Sequence, residues 1–195
     1  MKGDRLISRD GPALAAVRAK AGVSVDMLFA EIVALLRPRG VRVGGVLQED
    51  DWSSGDSRPI TRLRNLSDGS LIRISQDLGR EARGCRLDPG ALAEAAPLLE
   101  GMIEAGADLL ILSRFGKAEA GGAGLRSVIE RAILVGVPVL TAVRAEYVDA
   151  WAGFHAGLSM WLPPDSNAIL SWCRMTLGLG RDDAGVVDIP VSARW

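Results

Sequence analysis

DLLILSRFGKAEAGGAGLRSVIERAILVGVPVLTAV (residues 108–143) decides the fold. DLLILS (108–113) is a short, unbroken apolar run, the signature of a strand buried on both faces, and it feeds a glycine-rich loop. LRSVIERAIL (125–134) then puts Leu125, Val128, Ile129 and Ile133 on one helical face and stops at Gly136. VPVLTAV (137–143) is a second buried strand. Strand, loop, helix and strand in this order form a unit that closes a parallel sheet by a right-handed crossover, with its loops gathered at the carboxyl ends of the strands.

The pattern extends outward in both directions. ALAAV (13–17) reads as another buried strand. After the loop RAKAGVSV comes a helix with Leu28, Ile32, Leu35 and Leu36 on one face, widened by Phe29 and Val33 and ended by Pro38 and Gly40. VRVGGVL (41–47) is a β-branched strand whose glycines admit close backbone approach. EDDWSSGDSRP (49–59) reads as a loop, and TRLRNL (61–66) with SLIRIS (70–75) as a hairpin around Ser67-Asp68-Gly69. QDLGREARGCRLDPG (76–90) reads as loop, before a helix opened by Asp88-Pro89 and running to about residue 105 with Pro97 as a candidate kink. Helices over 146–158 and 166–178 complete the pattern. The expectation is one α/β domain over 1–195, a three-layer αβα sandwich with a mostly parallel sheet and an inserted hairpin, flanked by a leader (1–12) and a tail (179–195).

Composition excludes several function classes. In 195 residues, 23 Lys and Arg stand against 24 Asp and Glu, so a net charge of -1 supplies no global field for a nucleic acid. A lone His155, with Cys85 and Cys173 far apart, matches neither a disulfide framework nor a zinc spacing, and no metal site is expected. The polar start MKGDRLISRDG and the absence of a long apolar run predict a soluble, cytoplasmic protein without a membrane partner. Only Lys2, Lys20 and Lys117 are lysines.

Three loops are candidates for chemistry. The first, 18–26, occupies the place of a phosphate loop without its residue types. Ala19, Gly22, Ser24, Val25 and Asp26 stand where a glycine, a free position, a glycine, the phosphate-binding lysine and the Mg²⁺-binding Ser or Thr are required. Val25 replaces the lysine, Asp26 at a helix N-terminus repels a phosphate, and Lys20 is the nearest substitute; a plain βα turn with Asp26 as its cap is the competing reading. The second loop offers Arg83 and Arg86 with the amides of Gly84 and Cys85 as an oxyanion nest, against an ordinary solvated loop with an inert thiol. The third, SRFGKAEAGGAGLR (113–126), bunches Ser113, Arg114, Gly116, Lys117 and Glu119 at the end of the strongest strand. Gly121, Gly122 and Gly124 then lead into a helix whose free amides favour an anion.

RISQDLGREARGCRLDPGAL (73–92) and the 108–143 stretch together resemble the bacterial domain-of-unknown-function family 2478, whose members share (N/S)-(K/R)-F-G-K-x-E-A-x-G-x-G. The resemblance covers roughly residues 13–175. Because some members are labelled molybdenum-transport-associated ATP-binding proteins, it implies a link to molybdate metabolism. A more distant similarity is to small P-loop nucleoside triphosphatases and molybdopterin-guanine-dinucleotide adaptor proteins, with LLILSRFGKAE standing at their Walker B strand. On that resemblance Ser113 and Arg114 replace the Mg²⁺-linked Asp and the catalytic Glu, while Gly116, Lys117 and Glu119 match.

The expectation is a P-loop-like fold with a degenerate phosphate loop that binds molybdate, tungstate, phosphate or a nucleotide without hydrolysing it. A homodimer or a molybdenum-pathway protein is the compatible partner. The alternatives are a divergent Mg²⁺-dependent hydrolase using Lys20, Asp26 and Glu119, and an interaction module using exposed residues among Trp151, Trp161, Trp172 and Trp195.

Overall fold

Burial on both faces demands an apolar run in the middle of a sheet, and the run at 109–112 occupies that place. The structure, a computed structural model, describes residues 13–19, 23–52, 59–76 and 87–179. In chain order these form β1 (Leu14–Arg18), α1 (Val25–Leu36), β2 (Val43–Asp51), β3 (Ile60–Asn65), β4 (Leu71–Arg73), α2 (Pro89–Glu104) and β5 (Leu109–Phe115). There follow α3 (Lys117–Ala120), α4 (Arg126–Leu134), β6 (Val139–Val143), α5 (Val148–His155), β7 (Ser159–Leu162) and α6 (Ser166–Leu177). The strand order is β4-β3-β2-β5-β6-β1-β7, parallel from β2 through β7 and antiparallel where the hairpin adds β3 and β4 to one edge.

Two cores face the two sides of this sheet. On one side Leu92 and Leu99 of α2, Val128 and Ile129 of α4 and Trp151 of α5 pack on Val46, Leu110, Leu112 and Phe115. On the other, Phe29 and Ile32 of α1 and Ile169 and Trp172 of α6 pack on Ala15, Leu109, Ile111 and Leu140. The αβα layering therefore holds, and the hairpin lies where its turn residues place it. The buried face of α1 centres on Phe29, Ile32, Val33 and Leu36, rotated from the expected stripe so that Leu28 and Leu35 are half-buried. Helix α2 runs unbroken through Pro97, which sits on its exposed face, leaving the carbonyl of exposed Ala93 open to water. Gly45 is obligatory: its φ is +123°, and a Cβ there would lie 1.9 Å from the carbonyl oxygen of Ile111.

Strand β2 runs to Asp51, so residues 49–51 of the expected loop are strand, held by pairing with β3, and three further expectations change. Residues 145–147 form a 3₁₀ turn rather than the start of a helix, and α5 ends at His155, because Ala156 turns left-handed at φ +46°. Strand β7 was not anticipated: SMWL is four residues without alternation, and it becomes a strand by pairing with the open edge of β1. The third change matters most for function. Strand β5 runs two residues past Ser113, and its register against β6 slips, from Leu112 opposite Thr141 to Phe115 opposite Val143. One extra residue on β5 is a β-bulge, and it turns Phe115 back onto the core face of Leu112 while releasing Ser113 and Arg114 toward α1. The tail and leader, 180–195 and 1–12, lie outside the described residues.

Candidate functional site

The carboxyl ends of β1, β2, β5 and β6 meet at this bulge. Ser24 caps α1, its Oγ accepting from the Met27 amide at 3.4 Å, so Asp26 is not the cap. It stands in the first turn and reaches across the strand ends instead. Asp26 Oδ1 accepts from the Gln48 backbone amide at 2.9 Å and from Ser113 Oγ at 2.5 Å, and Oδ2 accepts from Arg114 Nη2 at 2.6 Å. Arg114 Nε also lies 3.3 Å from Ser113 Oγ. One carboxylate thus ties α1, β2 and β5 together. With side chains 29% and 17% exposed, the Arg114–Asp26 pair is sheltered enough to outweigh an ordinary surface ion pair.

Glu119 does something different. Its Oε2 accepts from the Gly116 amide and its Oε1 from the Leu125 amide, both at 2.9 Å, and the residue is only 4% exposed. Gly116 has no side chain to complete a reciprocal capping box, so the carboxylate alone staples the loop from β5 to α4. Gly124 is shaped to it: φ is +61°, and a Cβ would lie 2.2 Å from Glu119 Oε1. The amide expected to favour an external anion before the helix is already bonded to this internal one.

Two cavities of comparable size share the edge. The first, about 580 Å³, opens between the hairpin and the end of β5, and among the described residues its charged lining is Arg114, Lys117, Arg144 and the committed Glu119. The second, about 590 Å³, lies at the position of the phosphate loop, lined by Ser24, Asp26, Asp50 and Glu146 as well as Arg114 and Arg144. Among the described residues the hairpin side is cationic, and the β1 side sets three carboxylates against two arginines. Arg144 and Glu146 stand 3.9 Å apart at an exposed position, a loose pairing that leaves Arg144 available. Lys117 is exposed and has no ion pair among the described residues.

The edge therefore brings Ser113, Arg114, Gly116 and Lys117 to one cavity, while Asp26 and Glu119 face different cavities with every carboxylate oxygen engaged. Val25 is buried in the core beside Phe29 and offers no donor at the lysine position. Lys20, Arg83, Gly84, Cys85 and Arg86 lie outside the described residues. Trp151 and Trp172 are buried, and Trp161 lies beneath the Arg18 guanidinium, so these three are packing residues; Trp195 lies outside the described residues. Cys173 is buried and its thiol is pushed up to about 12 by desolvation, which makes it inert. Sequence reasoning missed Gln48 and Arg144. Both follow the core run of a parallel strand, the position where this class of sheet places its ligand-facing residues.

Mg²⁺ does not fit here as P-loop folds hold it. That ion needs the Ser or Thr of the phosphate loop and a strand-end carboxylate as free oxygen ligands. Asp26 stands at the Ser or Thr position with both oxygens taken and the Arg114 guanidinium against them, and Ser113 stands where the strand-end carboxylate would.

Comparison with known proteins agrees with this architecture. Residues 14–172 match the model of the family described as protein of unknown function (DUF2478). The chain belongs to that family. A curated relative from Bradyrhizobium diazoefficiens, named molybdenum import ATP-binding protein ModC 2, is 33% identical over 163 residues, which is 84% of this chain. The match spans only 18% of that relative's length. A human cancer-related nucleoside triphosphatase has a similar solution structure, with a TM-score of 0.58 at 18% identity over 80% of this chain and 93% of that one. THEP1 from the hyperthermophile Aquifex aeolicus is similar at a TM-score of 0.57 and 15% identity, covering 81% and 95%. The fold is P-loop-NTPase-like.

Among the described residues no helix is long and apolar enough to cross a membrane.

Proposed function

We propose that this protein binds a small anion or a nucleotide at the carboxyl edge of its sheet, does not hydrolyse it, and serves molybdenum metabolism or its regulation. The observation that carries the reading is the distribution of charge about Arg114. On the hairpin side Arg114, Lys117 and Arg144 line a cavity where the one carboxylate among the described lining residues, Glu119, is spent on backbone amides. An anion entering there meets Lys117 and Arg144, with Arg114 shared with Asp26, and no competing free acid among the described residues.

The other half of the edge supports the non-catalytic part of this reading. A P-loop enzyme uses its lysine and a bound Mg²⁺ to hold the charge that develops during phosphoryl transfer. Here Val25 is buried where the lysine stands in such enzymes, and a guanidinium occupies the oxygens that a metal would need. The molybdenum connection is supported by the name of the 33%-identical relative, whose matched part is a small share of its length.

Titration calorimetry with molybdate, tungstate, phosphate and ATP tests the proposal. At least one is expected to bind at millimolar concentration or below, and Arg114→Ala and Lys117→Ala should each weaken it by roughly 1–3 kcal/mol. Silence with all four ligands overturns the binding, and Mg²⁺-dependent phosphate release that is lost in Glu119→Gln overturns the non-catalytic half.

A further inference from the structure

The cationic cavity is too large and too apolar for a bare oxyanion. Its volume of about 580 Å³ falls within the ~300–1,000 Å³ typical of sites that enclose drug-sized molecules. Away from the charged end, its wall is built by Leu63, Ile74, Leu87, Leu92, Phe115 and Leu125. These come from the hairpin, the start of α2 and the β5–α4 loop, so the hairpin that the sheet carries as an addition is what completes the chamber. Thr61 on the hairpin wall is already engaged, its Oγ1 donating to Asp50 at 2.8 Å, and the Oγ of Ser75, itself only 8% exposed, accepts from the Thr61 amide at 3.0 Å. The wall therefore asks for an apolar body, and the strand ends ask for charge.

From this we infer that the ligand of this edge is an amphipathic organic phosphate: a monoester whose dianionic head rests against Lys117, Arg144 and Arg114 and whose flat apolar body fills the chamber under the hairpin. The inference rests on the anion-binding reading above and specifies its ligand class. Two cations free of strong ion pairs among the described residues, with a third that Asp26 only partly neutralises, match a dianion better than a carboxylate. Tyr147 adds aromatic surface where a ring would lie.

The test uses 1-naphthyl phosphate as the probe, titrated into the full chain beside inorganic phosphate, 1-naphthoate and 1-naphthol. Naphthyl phosphate is expected to bind roughly tenfold or more tightly than each of the other three, since only it satisfies both ends of the chamber. Thr61→Phe, which puts a ring into the chamber from β3, should collapse its advantage over inorganic phosphate toward one. Equal binding of naphthyl phosphate and inorganic phosphate overturns the inference and leaves the anion site standing. Equal binding of 1-naphthol removes the charged head, and equal binding of 1-naphthoate removes the phosphate. Failure of every anion overturns both readings. The wild-type ratios decide the matter even where the Thr61 variant folds poorly.

Discussion

Asp26 and Glu119 are both carboxylates in the first turn of a helix at the same edge of the same sheet, and both have their oxygens fully engaged. Glu119 bonds only to its own loop, to amides three positions before it and six after. Asp26 bonds to groups 22, 87 and 88 positions away in the chain. One carboxylate shapes a loop; the other joins strands and holds down a cation. The difference teaches that a helix-start acid can replace an external anion in two ways. Glu119 satisfies the amides that an anion would have sought, whereas Asp26 satisfies the guanidinium that an anion would have met.

The sharpest way to break the comparison is to remove each carboxylate in turn. Glu119→Ala is expected to have the largest effect, roughly 3–4 kcal/mol lost in urea denaturation, because two sheltered amides lose a charged acceptor and the buried one at Leu125 finds no water. Anion affinity should fall with it, since Lys117 belongs to the loop that Glu119 holds. A loss under 1 kcal/mol would show that the loop keeps its shape without the staple.

Asp26→Asn should cost less, about 1–2 kcal/mol, because the amide oxygen still accepts from the Gln48 amide and Ser113 Oγ while the ion pair to Arg114 disappears. Its effect on binding should have the opposite sign. With its counter-charge gone, Arg114 turns to the cavity, and inorganic phosphate should bind several-fold more tightly by calorimetry. If affinity falls together with stability, as it should for Glu119→Ala, the two carboxylates do the same job.

How much of this was readable beforehand depends on sequence distance. Alternating apolar runs and helical faces placed the parallel strands and the hairpin, because each signal lies within a few residues of itself. Strand β7 escaped because Ser159–Leu162 becomes a strand through its partner and not through its own pattern. The bulge at Ser113 and Arg114 escaped for a related reason: an extra residue on β5 is visible only against β6. In the loop, Gly116, Lys117 and Glu119 were singled out together, yet Glu119 was assigned to a ligand when the spacing to Gly116 already matched the reach of a helix-start acid to its own cap amide. The tie from Asp26 to Arg114, 88 positions away, leaves no local trace at all.

The smallest expected effect isolates one bond of that long-range tie. Ser113→Ala removes the hydroxyl that donates to Asp26 Oδ1, but Asp26 keeps the Gln48 amide and the Arg114 guanidinium. Alanine leaves no polar group of its own unsatisfied at this buried position, and Arg114, with 29% of its side chain exposed, replaces the lost Oγ contact with water. The cost should therefore be about 1 kcal/mol, near the ordinary value of a single hydrogen bond. A double-mutant cycle gives the bond its partner: in the Asp26→Asn background the same Ser113→Ala change should cost clearly less than in the wild type, because the charged acceptor that made the hydroxyl worth keeping is gone. An equal cost in both backgrounds would mean that Ser113 serves the bulge itself, and the strand end would then owe its shape to β6 pairing rather than to the carboxylate of α1.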